Sequence, residues 1–183
     1  MSNSNRTAGG NLLGAAAVAL VFAAAIPTSG SAHAAGACAL IPDPHTPSEQ
    51  ILQCGDVLKV RAAEGARYRP LYKKGDPLPV GIRLDSGALL IEFHPARPQE
   101  KFQILTPLAI AAVRGTKWAM EVVPARTSTL VLSGAVAVTN RRLNQFVVLT
   151  EGQGVDVTPA DTSMVQKRWG EARVRALLSR FGE

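Results

Sequence analysis

Histidine and cysteine are scarce in this chain of 183 residues, at three and two. His33 falls in an N-terminal segment expected to be removed, so His45 and His94 remain beside Cys38 and Cys54. These four include no His-x-x-x-His or Cys-x-x-Cys pair. A zinc site needs three or four ligands, so no metal centre is expected. There is also no Gly-x-Ser-x-Gly elbow and no glycine-rich loop opening a helix; Gly152-Gln153-Gly154 runs into a strand instead, which argues against serine hydrolase and nucleotide-binding designs. Glu92 and Glu121 lie on expected strands, with nothing in the sequence to bring them together. No catalytic residue is nominated, no cofactor is implied, and the chain reads as a non-enzyme.

A run long enough to cross a membrane is missing as well. Asn11 to Ile26 is almost uncharged and rich in Ala, Leu and Val, but it falls short of the ~20 apolar residues that span a bilayer, and its Ala and Gly make it weakly hydrophobic. With Arg6 before it and Pro27 and small residues after it, the run reads as a signal peptide. Ala32-His33-Ala34 supplies the small-x-small pattern for cleavage after Ala34, leaving 149 residues, the content of one domain. Residues 1–34 are thus expected to be a cleaved export signal, and the mature chain to be periplasmic or secreted. The full chain holds 20 Lys+Arg against 14 Asp+Glu, a formal charge of +6, which falls to +5 when Arg6 is removed. In an exported protein such an excess favours anionic envelope material, polysaccharide or lipid, and no nucleic-acid partner is expected.

In an oxidising compartment the two cysteines are most simply read as one bridge, Cys38 to Cys54, stapling a Pro-rich leader (residues 35–54) to the first strand. Lipid attachment at Cys38 is the competing reading: Ala35-Gly36-Ala37 are small enough for it, but the usual upstream Leu is absent.

From Asp56 onward, short runs of Val, Ile, Leu and Thr are separated at regular intervals by Gly, Pro, Asn and Asp, the spacing of an all-β domain. Strands are expected over 56–62, 81–84, 88–94, 102–106, 110–114, 116–123, 127–133, 135–140, 145–150 and 154–158. Alternation puts Leu89, Ile91 and Phe93 on one face, and Trp118, Met120 and Val122 on one face opposite Lys117 and Glu121. Asp85-Ser86-Gly87 reads as a hairpin connection, and Lys74-Gly75-Asp76-Pro77 as a surface turn. Single glycines at Gly134 and Gly152 imply bulges or tight corners. A short-stranded sandwich and a solenoid-like β stack fit this pattern equally.

After Thr158-Pro159 the period changes. Asp161 or Thr162 can cap one amphipathic helix reaching about Phe181, with Val165, Trp169, Ala172, Leu177, Leu178 and Phe181 at helical spacing. Its other side carries Lys167, Arg168, Arg173, Arg175 and Arg180 against Glu171 alone. Either the apolar stripe packs on the β domain, or the helix lies on an anionic surface with Trp169 and Phe181 as anchors.

Several motifs in order carry a resemblance. Thr106-Pro107, then Ala111-Ala112-Val113-Arg114-Gly115-Thr116, is followed by Thr129 to Val138 with Gly134 at its centre, and by Val148-Leu149-Thr150-Glu151-Gly152-Gln153. Upstream stand Lys74-Gly75-Asp76, Gly81-Ile82 and Gly87 to Phe93. The set, over about residues 55–158, resembles the FecR domain, an exported all-β module known from the periplasmic half of anti-sigma regulators that receive signals from outer-membrane transporters. The resemblance implies the fold, export and a role in binding rather than chemistry. In those regulators an anti-sigma segment and membrane helix come first and a transporter-docking domain often follows; here a cleavable signal and residues 159–183 stand in their places, so sigma-factor control is not implied. Physically, Gly115 is expected to supply a backbone conformation and Thr116 a turn hydrogen bond, while Arg114 either bridges carbonyls at that corner or faces a ligand. The reading is a binding module for an envelope protein or polysaccharide, possessing a β-edge that can receive a partner strand, or else a peripheral envelope protein held by its basic helix.

Overall fold

A computed structural model of the chain describes residues 38–44, 50–97 and 100–183. The expected signal segment lies outside the described residues. Among those described, no helix is long and apolar enough to cross a membrane.

The strands are β1 (Cys38–Pro42), β2 (Gln50–Cys54), β3 (Leu58–Ala62), β4 (Arg67–Tyr72), β5 (Pro79–Phe93), β6 (Phe102–Leu105), β7 (Ala109–Val113), β8 (Thr116–Val123), β9 (Arg126–Ser133), β10 (Ala135–Asn140), β11 (Gln145–Thr150), β12 (Gln153–Val157) and β13 (Lys167–Arg168). They belong to one continuous sheet that curls into two layers, as an all-β reading requires. The first layer runs β1-β2-β3-β5-β8-β9-β12-β13 and the second β4-β5-β6-β7-β10-β11, with β5 shared. Every pairing is antiparallel except β5 with β6.

Asp85-Ser86-Gly87 is therefore not a hairpin. β5 continues through it for 15 residues, pairing with β4 and β6 before the bend and with β3 and β8 after it. Gly87, at φ 86°, makes the bend, and a Cβ there would lie 2.5 Å from the Cα of Ala66. A positive φ serves a turn or a corner equally well, and here it re-aims one strand from layer to layer.

Alternation along the strands builds the core. Leu89, Ile91, Phe93, Trp118 and Met120 of the first layer meet Ile82, Leu84, Phe102, Ile104, Val136 and Val138 inside the curl. Phe102 stacks on Phe93 with centroids 5.2 Å apart and meets Trp118 edge-on at 6.4 Å. Outside the first layer, Leu90, Ala119 and Leu130 align across β5, β8 and β9 in a row that ends at Gly154 of β12.

The C-terminal segment covers that row, but not as one helix from residue 159. Asp161 binds the Thr158 amide and hydroxyl, each at 2.7 Å, which ties off a turn instead of capping a helix. Val165 is exposed, and Lys167 and Arg168 form β13 against Gly154 and Gln153. Only after Gly170, extended at ψ 150°, does α1 (Glu171–Leu178) begin, followed by a 3-10 turn over Ser179–Phe181. Trp169, Leu177 and Phe181 pack on Ala88, Leu90, Ala119 and Leu130. Burying side chains of this size stabilises the fold by about 1.5–3 kcal/mol each, far more than the helix propensity of eight residues supplies.

Candidate functional site

Cys38 and Cys54 face each other across β1 and β2 and are bridged. The bridge joins two paired strands, so the Pro-rich leader contributes both of them to the first layer.

The signature residues build corners. Buried Thr106 closes the β6–β7 connection: its hydroxyl donates to the Ala109 carbonyl and accepts from the Ala109 amide, each at 2.9 Å. The carbonyls of Thr106 and Pro107 accept from Arg141 at 3.1 and 3.3 Å. Gly115 and Gly134 both have positive φ and lean on each other; a Cβ on Gly134 would lie 2.6 Å from the Gly115 carbonyl oxygen. Thr116 donates to the Ala135 carbonyl at 3.0 Å, which locks that pair of turns. At Gly152 the amide donates to Val131 and the carbonyl accepts from Trp169. Arg114 is exposed, and no hydrogen bond or ion pair from it occurs among the described residues, so it does not bridge the corner.

The five basic residues are not one free surface. Arg173 forms a two-pronged ion pair with Asp156 and lies 3.4 Å over the Trp169 ring. Arg180 pairs with Glu121, and Arg175 is 3.8 Å from Glu171. Lys167 and Arg168 lie exposed in β13. Glu183 binds Arg61 and Lys117, each at 3.0 Å. Burial pushes the Asp156 carboxyl upward, but hydrogen bonds from Arg173 and Ser128, with the charges of Arg173 and Arg126, outweigh it and hold the group below its ordinary value. The anchors expected for a membrane-lying helix, Trp169 and Phe181, are buried on the sheet, at 7% and 2% exposure.

The acidic residues do not converge. Glu92 pairs with Lys117, and Glu121 with Arg126 and Arg180. Glu92 lies opposite Lys117, four positions along β8 from Glu121, a separation of roughly 13 Å at ~3.3 Å per residue. His94 is exposed beyond the end of β5.

Two features that motif reasoning missed are better placed for recognition. One is a cavity of about 730 Å³ where the β2–β3 turn, the β4–β5 turn and the β5–β6 loop meet. Leu58, Leu78, Phe93 and Phe102 give it apolar walls, with Lys73, Lys101, Arg97, Asp76 and Glu100 also lining it. Arg97 and Glu100 pair with each other at 3.1 Å, whereas Lys73 and Lys101 have no ion pair among the described residues. The other is the outer face of the second layer. Its rows run Leu105–Ile110–Thr139–Phe146 and Gln103–Ala112–Ala137–Val148 across β6, β7, β10 and β11. Phe146 and Val148 are 68% and 47% exposed.

Comparison with known proteins agrees with this architecture. Residues 48–137 match the model of the FecR protein family. Two crystal structures of a candidate anti-sigma factor from Parabacteroides distasonis, at 1.65 and 2.50 Å resolution, share the fold, each with a TM-score of 0.55 at 15% identity. The alignment covers 78% of this chain and 61% of that one, so this chain spans less than two thirds of its neighbour. No curated protein matches.

Proposed function

We propose that this FecR-domain protein is an exported, non-catalytic module that recognises an envelope partner in a signalling role. The observation that carries the reading is the cavity of about 730 Å³, with apolar walls and, at its lining, Lys73 and Lys101, which have no ion pair among the described residues. Apolar walls and a few charged groups suit a partner segment that combines apolar side chains with carboxylates. An envelope protein offers that combination more readily than a neutral polysaccharide. The Cys38–Cys54 bridge supports export, because such bonds persist in oxidising compartments. Support for signalling comes from the family and from the anti-sigma description of the structural neighbour.

Cross-linking and pull-down from intact cells, with the tagged chain as bait, tests this. A discrete protein captured by the wild type and lost in the Lys73→Glu/Lys101→Glu variant is the expected result. Capture that ignores both substitutions would rule out the cavity. Recovery of lipid or wall polymer alone, lost when Lys167 and Arg168 are neutralised, would instead favour a structural protein held by its basic C-terminal segment.

A further inference from the structure

Among the described residues the sheet has four edges, at β1, β4, β11 and β13, and three of them are guarded. β4 carries Arg67, Arg69 and Pro70, β13 is two cationic residues long, and β1 is bridged at Cys38 and ends in Pro42. Charges, prolines and short length are how sheets prevent unwanted pairing at an open edge. β11 has none of these. Its six residues, Gln145-Phe146-Val147-Val148-Leu149-Thr150, include no charge, proline or glycine, and among the described strands only β10 pairs with it. Gln153 closes one end by accepting from the amide and hydroxyl of Thr150, at 2.8 and 3.0 Å. The stretch left open is Gln145 to Leu149, with Val147 at its centre.

We propose that β11 is a dimerisation edge, at which a second copy of this chain adds its own β11 antiparallel across a two-fold axis. Two observations select a second copy over a foreign strand. The first is register. Residues opposite each other in a sheet point to the same face, so a two-fold axis must pass through a residue and not between two. Passing through Val147, the centre of the open stretch, it sets Phe146 opposite the partner's Val148, and Val148 opposite the partner's Phe146. The two exposed apolar side chains of the edge thereby cover each other twice, in the favoured aromatic to β-branched pairing.

The second is charge. Arg141 and Arg142 lie in the turn that enters β11, and Glu151 directly follows it. None of the three has an ion pair among the described residues; Arg141 donates to the Thr106 and Pro107 carbonyls and Arg142 to that of Asp161. Beyond the paired stretch the same antiparallel arrangement brings Glu151 to the end of the partner's β11 that carries its Arg141–Arg142 turn, and the symmetry repeats the contact. A parallel strand would align like charges instead. The contact is isologous, so it uses up both open edges and stops at two copies.

Sedimentation velocity of the exported, disulfide-bridged chain across the micromolar range tests the proposal. Dimer is expected to accumulate with concentration. Val148→Lys, on an exposed position, should raise the dimer dissociation constant about tenfold or more while leaving the circular dichroism unchanged. Arg142→Glu and Glu151→Arg should each weaken the dimer, and the combined reversal should restore it, a recovery that general destabilisation cannot produce. A monomer at every concentration, or a dimer indifferent to Val148→Lys, would overturn the proposal. No cavity cation takes part, so Lys73→Glu/Lys101→Glu leaves the dimer unchanged and the two readings can fail separately.

Discussion

The two outer faces of this curled sheet come from the same kind of strand and meet different fates. On the first layer, the row Leu90–Ala119–Leu130 runs between flanking rows that hold Glu92 and Lys117 on one side and Glu121 and Asp156 on the other. Two leucines in a stripe need a cover, and the charged flanks give that cover its fixings: Arg173 on Asp156, Arg180 on Glu121, Glu183 on Lys117. The second layer presents Leu105, Ile110, Phe146 and Val148 around the small Ala112 and Ala137, with no ion pair between them and, among the described residues, no helix packed on them. The contrast teaches that apolar side chains alone do not decide where the C-terminal segment docks: both faces offer them, and the first flanks its row with Asp156, Glu121 and Lys117, which hold the segment by ion pairs.

The largest test of that contrast is Trp169→Ala. It removes the side chain that packs on Gly154 at the end of the covered row, where a Cβ on the glycine would come within 2.4 Å of the indole Cε2. A loss of about 3–5 kcal/mol in urea unfolding is expected, as for other buried tryptophans; a loss below about 1 kcal/mol would mean the cover is decorative. A smaller effect comes from acid. Since the folded Asp156 carboxyl titrates below its ordinary value, its contribution is complete above the unfolded value near ~3.9 and disappears as pH falls through the folded one. Tryptophan fluorescence should therefore report loosening of α1 below about pH 4, and Asp156→Asn should remove that step. The smallest effect belongs to the bare face: Phe146→Ser should leave the monomer within about 0.5 kcal/mol of wild type, and a larger loss would show that this face has a cover of its own.

Much of this was legible in the residues. Strands 116–123, 135–140 and 145–150 appear with the expected bounds, because alternation and flanking glycines agree there. The strands with no counterpart in the alternation pattern are β1, β2, β4 and β13; β13 is two residues long, and Pro42 and Pro70 stand in β1 and β4, where proline ordinarily argues against a strand. Asp85-Ser86-Gly87 looks like a hairpin in sequence because glycine with positive φ marks a reversal and a bend alike. The helix is shorter than its pattern suggests because Val165 and Trp169 fall at helical spacing by coincidence, one exposed and the other buried from an extended segment. The sites were harder to see. The cavity gathers three connections distant in sequence, and although the uncharged run at 145–150 is plain to the eye, whether a strand lies at an edge depends on partners that no local pattern names.

The shared strand β5 has a consequence for how the chain reaches this state. Pro79 to Leu84 find their neighbours in the second layer and Ala88 to Phe93 in the first, so neither layer is complete until β5 has settled in both. Its partner β3 precedes it in the chain while β6 and β8 follow, which forces segments from both sides of the bend to converge before either half is rewarded. Completion of either layer therefore depends on the same corner, and the expected outcome is that the two layers unfold together in one transition.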